Sequence, residues 1–258
     1  MKMSIVAWDL DETLGSWVQL GFISDSLRSV IGRTLSREEM FRLIDLFPEY
    51  VRPGIVPVLY LLKKRMQTNN SIKVILFTNN NGPQWWAKTI VAYFNHVVNY
   101  NLFSTIIPAF EVKGRRVSKC RTSSDKLYSD LIRCMDVPLG TQVCFIDDQE
   151  HPGMRTNDVK YIRVDPYSVI LPPAMIARRL TSFKIEGKAI SPQIAIEIED
   201  DMKAIGEPVT RPSRLDRLDL VSFGKKLETK IMSFLGTTQK TRKKRPESAR
   251  KTQKIKHR

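Results

Sequence analysis

Asp9-Leu10-Asp11-Glu12-Thr13 is the stretch of this chain best suited to chemistry. Two carboxylates two residues apart point along one face of an extended segment, so they can act as a pair. One can attack an electrophilic centre such as phosphorus and form an aspartyl-phosphate. The other can protonate the leaving oxygen and later activate water. Further along the chain stand Thr78-Asn79-Asn80-Asn81-Gly82, then Lys126, then Asp147-Asp148. Acids gathered in one place repel unless a cation joins them, and hard carboxylate oxygens suit magnesium, which also accepts a phosphate oxygen. Thr78 and neighbouring N–H groups could hold a transferred phosphoryl group, and Lys126 could neutralise its charge.

Each piece alone is weak. At average residue frequencies D-x-D-x-T arises by chance in roughly one chain in twenty of this size. Asp147-Asp148 could be a turn or a helix cap, and Lys126 a solvated helix residue. The argument gains force only if the fold brings the pieces to one place, so the elements around them matter.

Five continuous apolar runs, at residues 4–8, 72–77, 105–109, 142–146 and 161–164, have the pattern of buried parallel strands. Helical patterns lie between them. Ser36-Arg37-Glu38-Glu39 is a capping box for a helix to Leu46. Pro53 and Pro83 open two more, Ser123 or Ser124 caps a fourth that begins at Lys126, and Pro172-Pro173 precedes a fifth ending near Leu180. This alternation predicts an α/β doubly wound parallel sheet over residues 1–184, with ligands beyond the C-terminal strand ends. Asp9, Asp11, Thr78, Asp147 and Asp148 all follow predicted strands. Residues 15–50 are read as a small helical cap or flap, and 185–236 as an accessory segment with a candidate amphipathic helix at 215–235. Of Trp85-Trp86, one is expected in the core and the other as a possible substrate wall.

The net charge is +15, and residues 240–258 hold ten Lys or Arg against one acid. Such a block repels itself, so 237–258 is expected to be a disordered basic tail serving nuclear targeting or contact with nucleic acid or another polyanion. No apolar run is long enough to span a bilayer. The N-terminus turns acidic too early for a secretory signal. The expected location is intracellular, cytoplasmic or nuclear. Cys120, Cys134 and Cys144 form no C-x-x-C pair, so neither a disulfide framework nor a zinc site is expected, and Cys134 and Cys144 are expected as buried thiols in a reducing compartment. His96, His151 and His257 have no ligand spacing, which argues against a His-based metal site or a Ser-His-Asp triad.

Taken together, Asp9-Leu10-Asp11-Glu12-Thr13-Leu14, Leu76-Phe77-Thr78, Lys126 and Phe145-Ile146-Asp147-Asp148 resemble the four motifs of the haloacid dehalogenase superfamily. The resemblance covers residues 3–184. Within it, Asp-Leu-Asp-Glu-Thr-Leu and Val51-Arg52-Pro53-Gly54 are similar to the Fcp/Scp-type phosphatases (NLI-interacting-factor-like), including members from iridoviruses and other large DNA viruses. That likeness implies a HAD-like Rossmannoid fold and a magnesium-dependent phosphoserine/phosphothreonine protein phosphatase. It also implies a phosphorylated protein substrate, such as the C-terminal domain of RNA polymerase II. It makes Asp9 the nucleophile and Asp11 the general acid/base. Thr78, Asn79 and Lys126 would bind phosphate, with Lys119 a competitor for the lysine role. Magnesium would be held by Asp9, the Asp11 carbonyl oxygen and either Asp148 or Asp147. The Asn79-Asn80-Asn81 run departs from the group's pattern and leaves the substrate open. The basic tail suits a second reading, a nucleic-acid-end or nucleotide phosphatase. A third is a non-catalytic binding protein with the same fold, against which the Asp9, Asp11, Lys126 and Asp148 set argues.

Overall fold

A computed structural model describes residues 3–204 and 217–240. Of the basic tail expected at 237–258, residues 237–240 belong to the last helix and 241–258 lie outside the described residues. Nine short strands and eight helices are defined among the described residues. The main strands are β1 (Ser4–Trp8), β2 (Ile72–Phe77), β3 (Phe103–Ile107), β6 (Gln142–Asp147) and β7 (Val159–Arg163). Two hairpins supply β4 (Glu111–Val112) with β5 (Arg115–Arg116), and β8 (Lys184–Ile185) with β9 (Lys188–Ala189). Each hairpin turns on a residue followed by glycine, both at positive φ: Lys113-Gly114 and Glu186-Gly187.

The helices are α1 (Val18–Ile31), α2 (Arg37–Leu46), α3 (Ile55–Thr68), α4 (Gln84–Val97), α5 (Tyr128–Met135), α6 (Pro173–Leu180), α7 (Pro192–Ala204) and α8 (Arg217–Lys240). Ser36 and Glu39 cap α2 reciprocally, as their spacing predicts.

The five main strands form one parallel sheet in the order β3-β2-β1-β6-β7. This is an α/β architecture of the Rossmann-like kind, with helices on both faces. Alternate strand residues face opposite layers. Val6, Trp8, Val74, Leu76, Cys144 and Ile146 enter one core with α1–α4 and α6–α8. Ile5, Ala7, Ile75, Phe77, Val143 and Phe145 enter a smaller one with α5. The chain leaves β1 towards β2 on one side and returns to β6 on the other. The topological switch point therefore lies between β1 and β6, where the ends of such sheets open a crevice.

The segment 15–50 is helical, and Leu20, Ile23, Leu27, Leu43 and Ile44 lie in the same core as Trp8. It forms part of the helical layer, and among its residues Val18 lines the crevice described below. The last helix docks the same way. Gly224 lies so close to Gly54 that a Cβ there would stand 2.8 Å from the Gly54 carbonyl oxygen. The Arg52 guanidinium lies over the Phe223 ring, 3.8 Å from its centroid.

Two expectations are corrected. Cys120 and Cys134 are joined in a disulfide, and only Cys144 of the three is a free buried thiol. The loop before α5 folds back along that helix, where Arg133 Nε donates to the Cys120 carbonyl oxygen (2.7 Å), and this brings together cysteines 14 residues apart. Helix α5 also starts at Tyr128, so Lys126 stands in a loop and no serine caps the helix. Ser123 Oγ instead accepts the N–H of Asp125 two residues on, a local turn that competes with helix. No helix among the described residues is long and apolar enough to cross a membrane.

Candidate active site

The strand register sets the height of each acid. Trp8 pairs with Leu76 and with Ile146. Asp9, one residue further, is therefore level with Phe77 and Asp147. The Asp9 N–H continues the ladder to the Ile146 carbonyl oxygen (2.9 Å). Thr78 and Asp148 follow at the same sheet edge. The crevice at the switch point thus collects Asp9, Asp147 and Asp148, all buried, with one carboxylate oxygen of each lying within 4.8 Å of the others.

The loop after Asp9 is held from several sides. Glu12 sits at φ 57°, a left-handed conformation that costs energy for a residue with a side chain. Its carbonyl oxygen accepts from Arg52 Nη1 (3.0 Å) and from the Tyr167 N–H (2.8 Å), and its N–H reaches the Gly15 carbonyl oxygen. Gly15 is required by contact, because a Cβ there would lie 2.4 Å from the Tyr50 carbonyl oxygen. Thr13 ties the loop to β6. Its hydroxyl donates to Asp148 Oδ1 (2.9 Å) and accepts the Asp148 N–H (3.1 Å).

Lys126 is buried between two carboxylates. Its ammonium donates to Asp9 Oδ1 and, at 2.6 Å, to Asp147 Oδ2. Burial works against the ammonium, but Asp9 and Asp147 outweigh it and hold its pKa above the usual lysine value. Burial also works against the Asp147 anion, yet His151, Lys126 and the Gln149 N–H together hold its pKa below the carboxylate range. For Asp9, burial prevails over Lys126 and the carboxyl is pushed up. Asp148 is raised to about 6, by burial first and by Asp9 next. Asp11 is raised to about 7 by burial and Asp9, although Asn80 Nδ2 donates to its Oδ2 (2.8 Å). Lys126 therefore bonds two of four neighbouring acids, and three of the four are disfavoured as anions.

The two neighbouring carboxylates of β6 differ in what they offer. Asp147 Oδ2 carries Lys126 and its Oδ1 accepts the Gln149 N–H (2.8 Å). Asp148 carries only the Thr13 hydroxyl among the side-chain donors recorded to it.

Arg121 holds the other wall, and sequence reasoning missed it. Fully buried, it donates from Nη1 to the Thr78 and Pro108 carbonyl oxygens and to Asn79 Oδ1, and from Nη2 to the carbonyl oxygens of Ser124 and Asp125. It thereby joins the turns after β2 and β3 to the loop that delivers Lys126. The Asn79 side chain, expected at phosphate, is engaged by Arg121 and by the Ser124 carbonyl oxygen (3.0 Å). The Thr78 hydroxyl accepts the Asn80 N–H (2.9 Å) and keeps its own proton available to donate.

Asp9, Asp11, Asn79, Lys126 and Asp147 line a cleft of about 270 Å³, together with Glu12, Asn80, Gln149 and His151. His151 Nε2 lies 3.3 Å from Asp147 Oδ2, without hydrogen-bond geometry. The sequence signal for it was its place in the loop after β6, at the edge where the acids sit. Lys119 is exposed and does not line the cleft. Trp86 is buried and Trp85 packs edge-on against it, ring centroids 5.6 Å apart, so the pair belongs to the core and neither ring lines the cleft.

No family model matches this chain, and no curated protein matches it.

Proposed function

We propose that this protein is a divalent-metal-dependent phosphomonoester hydrolase of the haloacid dehalogenase type, acting through an aspartyl-phosphate. The observation that carries the reading is the crevice at the β1/β6 switch point, where Asp9, Asp147 and Asp148 converge and a single buried lysine bonds Asp9 and Asp147. Four clustered acids beside an ammonium that bonds only two of them are costly to a packed fold without a ligand to compensate. That cost also weighs against a purely non-catalytic binding role.

The donor set fits magnesium: hard carboxylate oxygens, incompletely neutralised and close enough to share one ion. Asp9, the Asp11 carbonyl oxygen and Asp148 would hold it. Asp148 is the better ligand of its pair because both Asp147 oxygens already carry protein donors. The bound ion would draw phosphate oxygens into place and offset their charge.

Asp9 attacks phosphorus and forms the acyl phosphate as the leaving alkoxide departs. Lys126 touches Asp9 and is placed to offset charge on the transferring group. Asp11, raised to about 7 and so in part protonated at neutral pH, donates its proton to the leaving oxygen, then accepts one from the water that opens the intermediate. Asn80 orients that carboxyl. Thr78 lines the adjoining cavity and not the acidic cleft, and its hydroxyl would reach a phosphoryl group only at the boundary of the two.

The family likeness carries a phosphoserine or phosphothreonine protein as the substrate. A cavity beside Asp11, described below, favours the second reading of the leaving group. The reaction class is tested first with acetyl phosphate and p-nitrophenyl phosphate. Hydrolysis should need added magnesium and vanish in Asp9→Asn, and full activity in that variant refutes the nucleophile assignment.

A further inference from the structure

A second cavity, of about 250 Å³, adjoins the acidic cleft and shares the Asn80 wall with it. It lies between the start of α4, the end of β3 and the β4–β5 hairpin. Its polar wall is Thr78, Asn80, Gln84 and Lys88. Its other walls are aliphatic, from Ala87, Ile106, Pro108, Val112 and Val117. No acid lines it.

Its position relative to the chemistry follows from Asn80. The Asn80 amide donates to Asp11, the group that would protonate the departing oxygen. The cavity therefore stands on the leaving-group side of the reaction. Each cavity is small by itself, but together they reach the range of small-ligand sites, roughly 300–1,000 Å³. Of the adjoining hairpin Val112 lines the cavity, Lys113 and Arg115 with Lys119 beyond are exposed near its rim against the single acid Glu111, and Arg116 is held by the carbonyl oxygens of Ser118, Lys119 and Arg121. The occupant must therefore combine an apolar ring or chain, groups that bond to side-chain amides, and negative charge beyond the phosphate being cleaved.

The geometry points to a leaving-group site for a nucleoside, so that the substrate is the terminal phosphate of a nucleotide or of a nucleic-acid end. This rests on the phosphohydrolase reading above. The base lies between the aliphatic walls, where Gln84 reads its edge, and Lys88 with the hairpin cations meets the neighbouring phosphates. The phosphoester bond breaks towards Asp9, and the nucleoside hydroxyl leaves with the Asp11 proton.

Four substrates test this on the full-length protein with magnesium: acetyl phosphate, a nucleoside 3′-monophosphate, a 3′-phosphorylated oligonucleotide, and the same oligonucleotide with an abasic 3′ residue. A phosphoserine peptide panel is run beside them. Val112→Trp fills the cavity without touching the acidic cleft, and Lys88→Glu reverses the rim charge. The expected result is a kcat/KM for both base-bearing substrates about 10–100-fold above the abasic one, lost in Val112→Trp while acetyl phosphate turnover is unchanged. Lys88→Glu should weaken the oligonucleotide more than the mononucleotide if a nucleic-acid end is the source, and both equally if a free nucleotide is. Equal rates with and without the base overturn the proposal, as does a phosphopeptide preference that Val112→Trp abolishes. Absence of acetyl phosphate hydrolysis by the wild type refutes the phosphohydrolase reading itself, and the nucleoside assignment falls with it.

Discussion

Replacing Lys126 with methionine isolates the electrostatics of the cleft. Lys126 is buried and bonded to two carboxylates that are themselves buried. Methionine keeps much of the volume and removes the charge, leaving Asp9 and Asp147 without their cation. Breaking a buried ion pair on one side costs about 3–5 kcal/mol. The loss has a natural ceiling, because a stranded carboxylate can take up a proton. Its pKa then rises above its value in the unfolded chain, so the folded variant binds one proton more than the unfolded one. Stability of the variant therefore rises as pH falls towards the ordinary carboxylate range, by up to about 1.4 kcal/mol per pH unit. Urea unfolding in the presence of a chelator should show the gap to wild type at its full size near about pH 7.5 and narrowed by roughly 1–3 kcal/mol near about pH 5.5. Turnover of acetyl phosphate should fall about 100–1,000-fold. A gap below about 1 kcal/mol at the higher pH, or one of equal size at both, refutes the buried triad as drawn.

Asp11→Asn should abolish turnover and stabilise the chelated protein at neutral pH. The Asp11 carboxyl is raised to about 7, so its contribution is present below the unfolded value and lost as pH rises towards neutrality. The gain should be roughly 1–2 kcal/mol, seen in urea unfolding at neutral pH and absent near the unfolded value. Arg121→Met removes the donor of five acceptor oxygens, of which the Ser124 carbonyl keeps Asn79, and should lower stability by at least about 3 kcal/mol, with Arg121→Lys recovering only part, measured by thermal and urea unfolding. Cys120→Ser should cost about 2–3 kcal/mol, the chain-entropy value for a bridge of this span, and the wild type should lose the same amount on full reduction.

The parts legible in the sequence are those governed by local pattern. Continuous apolar runs marked the five strands of the sheet, and the parallel register did the rest, since equal heights bring Asp9, Thr78 and Asp147 to one edge. Strand β3 shows the limit. It was expected at 105–109 but spans Phe103–Ile107. The Thr78 N–H still bonds the Ile107 carbonyl oxygen as the last rung to β2, but Pro108 has no N–H for the ladder and its carbonyl oxygen is taken by Arg121. Apolar periodicity alone registers neither effect.

The same distinction explains what was missed at the site. Lys126 was legible as a residue type at a plausible distance, but its loop is not helical because Arg121 and the Cys120–Cys134 bridge hold it in another shape. Arg52 ties β1's loop at Glu12 to Phe223 on the last helix, a contact between residues far apart in the chain. Such residues are buried cations whose partners are mostly carbonyl oxygens and rings, so no matching acid in the sequence announces them. The acids of the cleft stand at strand ends, where pattern reveals them, while Lys126 and the arginines that set its spacing come from loops. A substitution of Arg121 or Arg52 should therefore alter the distances among Asp9, Thr78 and Lys126 without removing any of them.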